Sequence, residues 1–147
     1  MEELPLELRI LKSFHGHLGP YVVLGYKMGR MAREKFPEKI YANVYTGNKP
    51  PLSCLVDGIQ MSSSCTLGKG NITVNKGSFA MANFMDEVGN KMVVELKKEM
   101  REKVDREMAK EGEEERSLEL FLMDNSQLFD VTQTAVNRPT QTLTGRR

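Results

Sequence analysis

Apolar residues first recur at helical spacing near the start of the chain, where Leu4, Leu8, Leu11 and Phe14 follow at three- and four-residue steps behind Pro5. This predicts a short helix ending near Phe14. The HGHLG stretch breaks it, because Gly16 and Gly19 are costly in a helix interior and Pro20 turns Gly19 away from helical angles. His15 and His17 are thereby placed on a turn. Helical spacing resumes from Pro20 to about Phe36, with Val22, Val23, Tyr26, Met31 and Ala32 on one stripe. Gly25 and Gly29 each cost about 1 kcal/mol relative to alanine inside a helix, so another backbone is expected to pack closely there.

The pattern then changes period. In IYANVYTG, Ile40, Ala42 and Val44 alternate with Tyr41, Asn43 and Tyr45, which predicts a first strand. After NKPP, SCLVDGIQMSSS reads as a short helix with Ser53 as N-cap and Cys54 in its first turn. SCTLGKGN reads as a loop. ITVNK, SFAMANFM and KMVVELK, split by Gly77 and EVGN, predict three strands in an antiparallel meander. From Lys97 to Arg116 the composition turns to Lys, Glu and Arg, while Met100, Val104 and Met108 keep a four-residue step, predicting one exposed helix with a narrow apolar seam. SLELFLMDNSQLF then suggests a short helix leading into a last strand, LFDVTQ. Together these elements predict an α+β fold with a mostly antiparallel sheet of four to five strands. One domain is expected over 1–137, followed by a loose tail over 138–147.

Size and charge narrow the classes. At 147 residues, 39% hydrophobic, the chain fits one core. Its 21 basic and 20 acidic residues leave a formal charge of +1, which draws it neither to nucleic acid nor to an anionic membrane. No run approaches the ~20 apolar residues of a membrane helix. The acidic start MEELPLELRI does not resemble a signal peptide, so a cytoplasmic protein is expected.

In a reducing compartment two cysteines point to metal binding or a reactive thiol rather than a staple. The chain's nitrogen and sulfur donors are His15, His17, Cys54 and Cys65, a stock matching one tetrahedral site. Histidines two apart on a turn can face one way, whereas on a helix they would diverge by roughly 200°. A thiol in the first turn of a helix meets the positive end of its dipole, favouring the thiolate. Plainer readings stand beside these: the histidines as surface or cap residues, and each cysteine as a packed hydrophobe. Asp57, one turn after Cys54, either orients a histidine or carries protons, or else simply favours the helix start. The GKGN loop, with Lys69, suits an anion but is not a Walker A motif, and no histidine is left over to activate Ser62, Ser63 or Ser64.

FHGHLGPYVVLGYKMG and SCLVDGIQMSSSCTLGKGN closely resemble the two signature stretches of the FmdE family, over roughly Ile10 to Leu96. The resemblance implies an α+β core, an intertwined homodimer and a metal site near the histidine turn. His15, His17, Cys54 and Cys65 fall on its motif positions, as do Asp57, Gln60, Lys69 and Asn71. Two departures stand out: Gly19 replaces a cysteine that many relatives carry, and no cysteine follows Cys65 to build their C-terminal zinc finger. Zn²⁺ is the metal expected from mixed imidazole and thiolate donors. Asp57 is then a candidate proton carrier, with Lys69, Asn71 and Gln60 as candidate contacts to a small anionic molecule. The alternative is an accessory subunit of a redox enzyme in one-carbon, methanogenesis-type metabolism, docking through the charged helix.

Overall fold

The structure is a computed structural model that describes residues 3–136. The elements run α1 (Leu6–His15), α2 (Pro20–Lys35), β1 (Ile40–Val44), α3 (Cys54–Ser63), β2 (Ile72–Val74), β3 (Met81–Asp86), β4 (Lys91–Leu96), α4 (Lys98–Glu107), α5 (Glu113–Leu122), α6 (Asn125–Leu128) and β5 (Phe129–Thr134). The fold is α+β, as expected. The tail expected over 138–147 lies outside the described residues.

The five strands lie in the order β2-β1-β3-β4-β5. β3, β4 and β5 form an antiparallel meander, but β2 is not part of one: it pairs parallel with β1, Ala42 opposite Ile72 and Val44 opposite Val74. The expected meander of β2, β3 and β4 is corrected by this crossover. Two parallel neighbours need a long connection, and α3 supplies it. Strand spacing in the sequence reports which face is buried, not which strand is the neighbour.

The alternation read along β1 is the burial pattern observed, with Ile40, Ala42 and Val44 fully buried. With Ala82, Phe84, Met92 and Val94 they meet Leu24 and Met28 of α2 and Leu55 and Ile59 of α3. A second apolar cluster joins Leu8 and Leu11 of α1 to Leu18, Val22 and Val23, so α2 lies between two cores. This is why α2 buries residues all round its axis rather than along one stripe.

α2 and α3 touch at backbone distance. A Cβ on Gly25 would stand 2.1 Å from the Leu55 carbonyl oxygen, and one on Gly58 2.1 Å from that of Val22. Gly25 faces Leu55 and Gly29 faces Ile59, so the two helices run in the same direction.

The single charged helix expected from Lys97 to Arg116 is instead two. Gly112 takes a left-handed φ of 84° and separates α4 from α5, while Arg116 donates to the carbonyls of Lys110 and Glu111 across the break. The Met100, Val104 and Met108 seam does pack on the main core.

α5 is fastened to α2 by Lys27, whose buried ammonium donates to the carbonyls of Leu120 (2.9 Å), Phe121 (2.9 Å) and Met123 (2.6 Å). These include carbonyls that the end of a helix leaves without an internal partner. Lys27→Met is expected to destabilise the fold by about 2 kcal/mol or more, because a buried acceptor without a donor costs ~1–3 kcal/mol. Burial pushes the Lys27 ammonium down to about 8. Above that pH the folded lysine is neutral while the unfolded one, near 10.5, is still charged. The stability of the wild type relative to Lys27→Met should therefore be lowest and level below pH 8 and rise as pH increases toward 10.5, since the unfolded state there holds a proton that the folded state has released. Urea unfolding of both proteins across this range checks the sign.

Candidate metal centre

α1 carries its helix through His15 before Gly16, at φ 103°, turns the chain. His15 is thus the last helical residue and His17 lies in the turn proper. The geometry still brings the two rings together, with centroids 5.0 Å apart. His15 Nδ1 lies 2.6 Å from Asp57 Oδ2, and its side chain is 10% exposed against 38% for Asp57. That contact fixes the ring and leaves Nε2 as the nitrogen for other use, as in carboxylate–histidine pairs at metal sites.

Three helices begin around this turn. α3 runs with α2 from Cys54, and α5 runs with α2 as well, since Glu113 approaches Gly19 at one end while Lys27 reaches the Leu120–Met123 carbonyls at the other. Their aligned dipoles favour negative charge here, and Asp57 and Glu113 both sit in first turns.

A Cβ at position 19 would lie 3.3 Å from His17 Nε2 and 3.2 Å from Glu113 Oε2. Position 19 therefore faces the site directly, and the Glu113 carboxylate approaches it. Sequence reasoning missed Glu113. It stands in a run of glutamates, and only the packing of α5 on α2 singles it out.

Cys54, partly exposed, belongs to this neighbourhood: burial first, then the Asp57 and Glu113 carboxylates, push its thiol above the ordinary range. The expectation of a dipole-lowered thiol is corrected in direction, because desolvation and two nearby carboxylates oppose the helix end. Ser53 occupies the N-cap position, but its hydroxyl makes no capping bond. The amides from Ser53 to Val56 are taken by carbonyls of the preceding turn, beginning with Lys49 and Pro51.

Cys65 is not brought to the histidines. It follows the far end of α3, about 15 Å along the helix from Cys54, fully buried with Sγ 3.5 Å from the Ile40 carbonyl oxygen. Gln60 and Asn71 hold the loop beside it: Gln60 Oε1 accepts from the Leu67 amide (2.8 Å), and Asn71 accepts from the Thr66 amide (2.9 Å) and donates to the Ile40 carbonyl (3.1 Å). Lys69 is exposed on the same turn, its amide 3.3 Å from Thr66 Oγ1. Among the described residues, no three His, Cys, Asp or Glu side chains stand close enough together to hold a metal ion.

A family model described as FmdE, molybdenum formylmethanofuran dehydrogenase operon, matches residues 14–138. A probable S-adenosyl-L-methionine-binding protein of Archaeoglobus fulgidus is 38% identical over 71 residues, 42% of this chain and 18% of that protein. The chain thus spans under a fifth of that curated relative. The crystal structure of a tungsten formylmethanofuran dehydrogenase FmdE-like protein from Syntrophus aciditrophicus superposes with a TM-score of 0.68 at 22% identity. The match covers 90% of this chain and 72% of that one, which places the two in one fold. No helix among the described residues is long and apolar enough to cross a membrane.

Proposed function

Because the chain belongs to the FmdE family, we propose that it is a cytosolic metal-binding protein whose donors are His15, His17 and Cys54, with Glu113 as a fourth candidate. The observation that carries this reading is the 2.6 Å contact between His15 Nδ1 and Asp57, which holds one imidazole as a ligand is held, beside a second imidazole. The donor set fits Zn²⁺ by chemistry, being imidazole and thiol with a carboxylate near by. The side chains stand apart, so binding would draw them together and take the proton from the raised Cys54 thiol. Cys65, placed at the other end of α3, is left to packing.

A bound Zn²⁺ would supply Lewis acidity toward a small anionic ligand, or simple cross-linking of α1 to α3 if every position is filled. Independently of it, Asp57 orients His15 and is exposed enough to exchange a proton with a ligand. The test is elemental analysis of untagged protein purified without chelator. About one transition metal per chain is the expected result, and metal-free protein under reducing conditions would reverse the reading.

A second reading, an accessory subunit of a redox enzyme, is favoured by α1, which exposes Leu6, Ile10 and Phe14 at four-residue steps opposite the buried Leu8 and Leu11. The same stripe suits the homodimer that the family resemblance implies. If copies of the chain cover it, light scattering will give a dimer, and Ile10→Glu will give a folded monomer. A monomeric wild type would instead leave the stripe for a different partner.

A further inference from the structure

β1 and β2 are parallel neighbours, and their C-terminal ends open into two loops, the first leading to α3 and the second to β3. Such an end of a sheet is where open α/β folds place ligands, because the connections diverge there. A groove of about 670 Å³ lies at this end, between the loops, the start of α2 and α4. Its size is that of a pocket for a cofactor-sized molecule.

The charge of the groove is unusual for this nearly neutral chain. Lys49, Lys76 and Arg101 line it, against Asp105 alone. Asp105 is already engaged, accepting from the Tyr21 hydroxyl at 2.5 Å and standing 3.6 Å from Arg101 Nε. Lys49 and Lys76 meet no carboxylate among the described residues. By contrast, the cleft lined by Lys35, Lys91, Glu38 and Asp86 is balanced.

The loops that carry Lys49 and Lys76 are joined through their backbones. A Cβ on Gly47 would stand 2.5 Å from the Gly77 carbonyl oxygen, and the Gly47 amide donates to the Asn75 carbonyl at 2.9 Å, so the two loops are locked together. Arg101 is anchored from below, donating through one terminal nitrogen to the Ser78 carbonyl at 2.6 Å and leaving the other for a ligand. Pro50, Pro51 and Met108 give the groove an apolar wall.

The geometry points to a binding site for a small organic anion bearing phosphate or carboxylate groups, held by Lys49, Lys76 and Arg101 and separate from the histidine turn. Nothing in it requires a metal. The shared chemistry is multivalent oxyanion recognition by clustered cations.

The test is a titration of the full chain with inorganic pyrophosphate and with citrate at constant ionic strength, followed through the backbone amide resonances of Gly47, Gly77 and Ser78. Saturable shifts at these amides are expected with at least one anion, and the responding anion tells phosphate from carboxylate recognition. Lys49→Ala/Lys76→Ala should weaken that binding about tenfold or more, while Lys91→Ala, in the balanced cleft, leaves it unchanged. Absence of saturable shifts with both anions, equal binding by the double variant, or shifts centred on Thr66–Gly70 would overturn the assignment.

Discussion

Gly58→Ala is expected to destabilise the protein by about 3 kcal/mol or more, the upper range for overpacking a core. The added methyl would stand 2.1 Å from the Val22 carbonyl oxygen and 2.4 Å from the Tyr26 amide nitrogen. Both are backbone atoms of a helix, so no rotamer change relieves the clash. α2 and α3 must move apart, and α2 cannot move without disturbing the core on each side of it. Gly68→Ala is the matched control. Its Cβ would meet nothing within 4 Å and its φ is not in the left-handed region, so a change within about 0.5 kcal/mol is expected. Urea unfolding of the two variants decides the matter. Equal, small losses would show that the helices are not in backbone contact.

The second large effect is on metal affinity. His17→Ala and Cys54→Ser should each reduce Zn²⁺ affinity by more than the roughly 10–100-fold expected when an orienting carboxylate is lost. Asp57→Ala, which releases His15 without removing a donor, belongs in that smaller range. Cys65→Ser should leave the stoichiometry intact, since its thiol lies at the far end of α3 against Ile40. Affinity should also rise with pH through the thiol range, because burial raises Cys54 and the metal must displace its proton. Competition with a chelating dye reads all four proteins. Equal affinity in His17→Ala and Asp57→Ala would sink the donor assignment, and an emptied site in Cys65→Ser would restore the four-residue set expected from composition.

The contrast between Cys54 and Cys65 shows how far a linear motif reaches. Both border one short helix, and their closeness in sequence made a shared site plausible. A ten-residue helix is long enough to carry its ends to different places, so one thiol faces the histidine turn and the other the sheet. Gln60, Asn71 and Lys69 follow the same logic, gathered by the loop that ends α3. Glu113 is the converse: far from Gly19 along the chain, it arrives beside it because α5 packs along α2.

The sequence by itself determined what local physics controls. Helical spacing set α1, α2 and α3, the alternation along β1 set its buried face, and Gly25 and Gly29 announced a close backbone neighbour because glycine in a helix has a cost that packing must offset. Its two motifs also carried the family. Only the tertiary structure decided that β2 pairs with β1, that Gly112 divides the charged helix, which acidic residue joins the histidines, and that Lys49, Lys76 and Arg101 share one groove. Each of those depends on a choice of distant partner, and the local pattern records that a surface is buried without recording what buries it.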